Sequence, residues 1–338
     1  SKETFEEWTR RLRPQHGDLL FAREAPVGPI VRIPPEENVA PGQRTVLLRP
    51  DPRVIDSNYL YYLLTSPLEQ AKIGAKASGS TVAHLNVADV RSFALPPLPT
   101  LIQQRGIAEV LGALDDKIAA NAALIASAEN LMIALATLAP VVVEVNAITS
   151  HSTDSARPES FDVEVAHFSL PAFDVGGRPE IAAGSSIKSS KFAVTKPSVL
   201  MSKLNPRIPR IWNVPMLPTG MALASTEFVV LQPREVDTSA LWSALSNPDV
   251  STELTGKVAG TSGSHQRVKP AEILGLLIRD PRSLSDRVRG SITTLGLIAH
   301  RRREESAQLA NARDALLPQL MSGKIRVKDA ERVVEGVV

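Results

Sequence analysis

The chain has no cysteine in 338 residues. That excludes a disulfide framework, a thiolate metal site and a cysteine nucleophile, and it fits an intracellular protein. A charge excess of one sign is also missing, since Lys+Arg 38 against Asp+Glu 36 leaves a net charge of only +2. Any affinity for nucleic acid must rest on local clustering, not on a globally basic chain. The charge-free stretch that most suggests a membrane span, Asn130 to Val143, contains Pro140. It is shorter than the roughly 18 residues a crossing needs. The N-terminal SKETFEEWTRRLRPQHG has neither an apolar h-region nor a small-residue cleavage site. The sequence therefore predicts no transmembrane helix, no secretory signal and a cytoplasmic protein.

Catalytic motifs are equally scarce. Gly256-Lys257 and Gly323-Lys324 lack the upstream glycine of a phosphate-binding P-loop, and there is no G-x-G-x-x-G. The six histidines show no metal-ligand spacing, so neither metal nor dinucleotide cofactor is expected. Asn205-Pro206-Arg207 and Asn247-Pro248-Asp249 do not make the Asn-Pro-Pro-aromatic motif of an amino-methyltransferase acting on DNA. Gly263-Ser264-His265 sets a serine beside a histidine, but no G-x-S-x-G elbow surrounds it. An enzyme is not expected.

What the chain does have is an apolar content of 43% and a length sufficient for two domains. Its 26 prolines avoid two windows, Thr100 to Ala139 and Arg282 to Leu317, which are predicted as helices. In the first, Ile107, Leu114, Asn121, Ala128 and Leu135 alternate with Leu111, Ile118, Ile125 and Met132 as a and d positions of a heptad. An Asn121 in an a slot costs stability and can fix register; an imperfect amphipathic helix is the alternative. The second window gives Val288, Ile292 and Leu295, loses the pattern from Arg301 to Glu305, and recovers with Leu309 and Leu316. A helix over residues 101–139 spans about 58 Å, the length of a spacer.

An internal repeat links the rest. Asp18–Arg23 aligns with Ser198–Lys203 at an offset of 180, and Leu47–Pro50 with Val230–Pro233 at 183. Ser78–Ser80 matches Ser262–Ser264, and Leu85–Val90 matches Val268–Ile273. The chain thus reads as two copies of a globular domain followed by a long helix. The first copy has only seventeen residues before Asp18, where the second has a lead of roughly forty, so the first domain is expected to be N-terminally incomplete.

Charge is clustered where the repeat is clearest. No Asp or Glu falls between Ile181 and Thr226, yet Lys188, Lys191, Lys196, Lys203, Arg207 and Arg210 do. A second acid-free window, Leu254 to Ala271, holds Lys257, His265, Arg267 and Lys269; its counterpart, Gln70 to Ala88, holds Lys72, Lys76 and His84. Cations mixed with Ser, Thr, Gly and Asn suit phosphates and base edges; a solvated charged face has the same composition. The candidate DNA-binding residues are Lys188, Lys191, Lys203, Asn205, Arg207, Arg210, Ser264, His265, Gln266 and Arg267 in the second copy, with Arg23, Ser80, Thr81 and His84 in the first.

Ser202-Lys203-Leu204-Asn205-Pro206-Arg207, Ala224–Phe228 and Gly260–Arg267 in the second copy carry a family resemblance. So do Gly17–Leu20 and Leu95–Pro99 before Gln103-Gln104 in the first, and Leu316–Lys324 near the end. Together they resemble the specificity subunits of type I restriction-modification systems. The resemblance implies a mixed α+β fold with two target-recognition domains separated by two long antiparallel helices in pseudo-twofold symmetry. On that plan residues 1–99 form the first recognition domain, 100–139 a spacer helix, 140–281 the second domain, 282–322 the second helix and 323–338 a tail. Each domain would read half of a split sequence in double-stranded DNA. The implied partners are modification subunits, which bind S-adenosylmethionine and methylate adenine, and restriction subunits, which translocate DNA with ATP and cut it. The chain itself would supply recognition and scaffold, with Leu111, Leu114, Ile118, Asn121, Ile125 and Met132 packing against Val288, Ile292, Leu295, Leu309 and Leu316. A coiled-coil protein scaffold without DNA readout and the specificity part of a fused type II enzyme are the alternatives.

Overall fold

The computed structural model describes residues 2–35, 38–77, 83–256 and 266–336. The chain forms two compact units, one of residues 1–119 with 307–338 and one of residues 120–306. Both mix helix and sheet. The two long helices run Leu101–Ala136 and Asp286–Met321, and each begins in one unit and ends in the other. Neither is a unit of its own.

In the first unit, strand Leu19–Arg23 lies between antiparallel partners Val27–Arg32 and Thr45–Leu48. Helices Ser57–Thr65 and Pro67–Lys76 follow. Asp56 caps the former by accepting from the amides of Asn58 and Tyr59, as the orphan donors of a helix start require. Leu19, Phe21, Ile30 and Tyr62 share a core with Leu111 and Leu114 of the first long helix and Leu309 and Leu316 of the second. Ile118 packs at its margin. The segment after the second long helix is not a loose tail: helix Val327–Glu335 buries Ala330 completely in the same core.

The second unit repeats this plan and adds a layer. Strand Ser198–Ser202 sits between Ile211–Val214 and Phe228–Pro233, and Thr149–Ser152 pairs with the outer edge of the last, all antiparallel. The repeat is visible in register: Leu20 opposes Leu47 as Leu200 opposes Val230. Asp237 caps helix Thr238–Leu245 as Asp56 caps its counterpart. Successive side chains of a strand face opposite ways, so Val199, Met201, Val229 and Leu231 meet helices while Leu200, Trp212, Phe228 and Val230 face a second sheet. That sheet has five strands in the order Ser155–Ala156, Lys191–Ala193, Met221–Ala224, Glu164–Phe168, Glu180–Ala183. Among the described residues of the first unit no such layer exists, and Val31, on the matching face, is 60% exposed.

Within the second unit the helix halves run antiparallel. Asn121 donates to Glu305 at 3.1 Å, and further along the first helix Glu129 pairs with Arg303, so residue numbers rise on one helix as they fall on the other. Met132 is buried with Ile292, with Val288 and Leu295 packed against the same core, and Ile125 is half-buried. Helix Leu101–Ala136 is also long and apolar enough to cross a membrane by length and composition. The charge-free runs of the sequence understate that length, because a helix can carry a charge or two and still qualify. Here its heptad face carries buried Asn121, and its flank carries Asp115 and Glu129 in ion pairs.

Candidate nucleic-acid interface

The acid-free window of the second unit ends strand Ser198–Ser202 at Lys203, and the backbone there is a junction. The Lys203 amide donates to the carbonyl of Glu227 at 2.8 Å, and its own carbonyl accepts from the Val268 amide at 2.9 Å. The Asn205 amide donates to the Gln266 carbonyl at 2.9 Å, and Leu204 forms an antiparallel bridge with Arg267. Three strings far apart in sequence, Ser202–Arg207, Ala224–Phe228 and the 266–267 pair, are thereby joined at one end of one sheet. Asn205 has φ +51°, a left-handed conformation that asparagine tolerates better than most residues. Pro206 then turns inward and is buried, which pushes Arg207 and Ile208 out into solvent.

The side chains at this end divide into free and engaged. Among the described residues the Lys203 ammonium and the Arg207 guanidinium make no hydrogen bond or ion pair. Arg210 is held by Asp174 through two bonds of 2.7 and 2.9 Å, and Arg267 by Glu227 at 2.9 Å. Lys188 is exposed and donates to the Ser185 carbonyl. Lys191 is not a surface cation: it is 8% exposed, donates to the carbonyl and hydroxyl of Ser189, and burial pulls its pKa below the usual lysine value. Ser264 and His265 lie outside the described residues, as do Ser80 and Thr81 in the first unit.

His151, on strand Thr149–Ser152, went unnoticed in the sequence. Burial, and after it the charge of Lys203, push its pKa down. Asp174 was missed as well. Its partner Arg210 lies 36 residues away, and no local pattern announces a pairing at that distance.

The first unit builds the same junction with different chemistry. The Arg23 amide donates to the Arg44 carbonyl at 2.9 Å and the Leu85 amide to the Arg23 carbonyl at 2.8 Å, while Glu24 bridges His84 as Leu204 bridges Arg267. Ala25 has φ +50° and precedes Pro26, matching Asn205 and Pro206. Yet the Arg23 guanidinium is turned onto the carbonyls of Leu85 and Gln43, each at 3.2 Å, and Glu24 pairs with Arg44 at 4.0 Å. An exposed loop bearing free cations and an amide side chain can bond phosphate oxygens and base edges. Among the described residues no group of His, Asp and Glu converges as a metal site.

Residues 3–130 match the family model for the type I restriction modification DNA specificity domain. No curated protein sequence matches. In three dimensions the chain is similar to the S subunit of a type I restriction-modification system from M. genitalium, with a TM-score of 0.55 and 15% identity over 92% of this chain and 84% of that one. The HsdS subunit from Thermoanaerobacter tengcongensis aligns at a TM-score of 0.32 and 18% identity, over 93% of this chain and 82% of that one. Residues 3–130 thus match the specificity-domain model, and the fold over most of the chain is shared with that solved S subunit.

Proposed function

We propose that the chain is the non-catalytic, sequence-reading subunit of a type I restriction-modification complex. It binds a bipartite target in double-stranded DNA and carries modification subunits, which supply S-adenosylmethionine-dependent adenine methylation, and restriction subunits. The observation that carries this reading is that Lys203, Asn205 and Arg207 lie within one loop of the second unit, whose turn is exposed at Arg207 and Ile208. Their cations would hold the backbone, and the Asn205 amide would meet a base edge, since asparagine pairs bidentately with adenine.

Asn205→Gly tests it, because glycine keeps the left-handed backbone and removes only the amide. With the assembled complex, mapping of methylated adenines should then show relaxed base preference in one block of the target and an unchanged second block. A complex that methylates no defined two-part sequence before substitution, or a variant with both blocks unchanged, overturns the reading. Removing one heptad from each long helix is expected to change the gap between the blocks and leave their sequences intact.

A further inference from the structure

We infer that the two repeats contribute unequally to DNA backbone contact: the loop from Lys203 to Arg210 supplies phosphate contacts, and the shorter turn at the same junction of the first unit, Arg23 to Pro26, supplies none. The inference rests on the DNA-reading role proposed above and assigns that role unevenly.

The two loops begin alike and differ in length, with residues 24–26 joining the strands in the first unit and residues 203–210 in the second. Both leave a strand with a neighbour on each side, both use the same pair of amide bonds, and both turn through a residue at φ near +50° followed by proline. Charge differs too. Lys203, Leu204 and Asn205 in the second unit are replaced by Arg23, Glu24 and Ala25 in the first, and Arg207 has no loop counterpart there, because strand Val27–Arg32 begins directly after Pro26. One loop offers two cations without a partner among the described residues; the other pairs an arginine already spent on two carbonyls with a carboxylate. The ion pair has also changed places. In the second unit Glu227 takes Arg267 aside and leaves the loop cationic, while in the first Arg44 takes Glu24, which lies in the loop itself. A phosphate approaching the first loop meets Glu24 and finds no free guanidinium. Other cations of that unit are bound internally too: Arg49 to Asp18 at 2.7 Å, Lys72 to Glu69 at 2.6 Å, and Arg32 stacked on Tyr61.

The test is a fluorescence-anisotropy titration of the assembled complex on a duplex carrying its methylated target, repeated over a series of salt concentrations. Each phosphate contact contributes about 0.9 to the slope of log affinity against log salt. The double variant Lys203→Gln, Arg207→Gln should lower that slope by about 1.8, and Arg23→Gln should leave it unchanged. Because Arg23→Gln removes two internal hydrogen bonds, its melting curve is recorded alongside, and Glu24→Gln serves as a variant that disturbs no backbone contact. Glu24→Gln should bind as the unsubstituted complex does. A slope lowered by Arg23→Gln as much as by Arg207→Gln, or an affinity raised several-fold by Glu24→Gln, overturns the inference. So does a slope indifferent to Lys203 and Arg207, in which case DNA reading itself survives. A complex that shows no preference for its target duplex removes the reading on which the inference rests.

Discussion

The Tyr62 hydroxyl donates to Asp115 Oδ2 at 2.6 Å, and this bond ties a helix of the first lobe to the first long helix. Tyr62 is 2% exposed, and burial, reinforced by Asp115, raises its pKa well above the usual phenol value. The other oxygen of Asp115 accepts from Arg313 of the second long helix at 2.7 Å. One carboxylate therefore joins three helices. Asp115→Ala strands the buried Tyr62 hydroxyl and leaves Arg313 only Asp314 of its own helix, and should cost about 2–3 kcal/mol. Tyr62→Phe removes one partner from a carboxylate that keeps Arg313 and should cost about 1 kcal/mol. Thermal unfolding of the two variants checks the ranking, and equal losses would contradict it.

Gly296 lies where the second long helix presses on helix Thr238–Leu245. A Cβ there would overlap the side chain of Ser239, which itself holds Asn213 at 3.0 Å. Overpacking of this kind costs about 1–3 kcal/mol. Gly296→Ala should thus be destabilising on its own, and less so in the presence of Ser239→Gly. A double-mutant cycle measures the coupling; additive effects would mean that the contact is relieved in another way.

Three histidines of the second unit, His151, His167 and His300, have pKa values pushed below the ordinary 6.5, in each case first by burial. Folded, they resist protonation; unfolded, they accept a proton as pH falls through about 6.5. The unfolded state then binds more protons, so stability falls with pH below that point and is fully present above it. Melting temperature should decline between about pH 7 and pH 5, ahead of carboxylate titration. His167→Gln should flatten the decline, since its Nε2 is buried without a partner. A profile unchanged by that substitution would assign the decline to other groups.

The long helices were the most legible part of the sequence, because a heptad is a local, repeating signal. Ile107, Leu111, Leu114, Asn121, Ala128 and Met132 are all buried. The broken stretch of the second helix was legible only as a gap, and its cause lies elsewhere in the chain. Arg303 pairs with Glu129, Glu304 with Arg178 at 2.9 Å, and Glu305 accepts from Asn121. That stretch meets polar partners, so an apolar period would be out of place. The repeat was legible as a numerical offset and reappears as matched hydrogen bonds. Side-chain engagement was not legible. Lys191 and Arg210 read as free cations, because a covering segment or a distant aspartate leaves no trace near the residue it neutralises.

The first unit is interrupted in sequence by the whole of the second, from residue 120 to 306. On the ribosome, the second unit therefore has every one of its residues before the first does. Leu309, Leu316 and Ala330, all buried in the first unit's core, emerge after all of the second unit. Until they do, Leu19, Phe21 and Leu111 have no complete core to enter. The lobe whose synthesis starts first is the one whose chain is completed second.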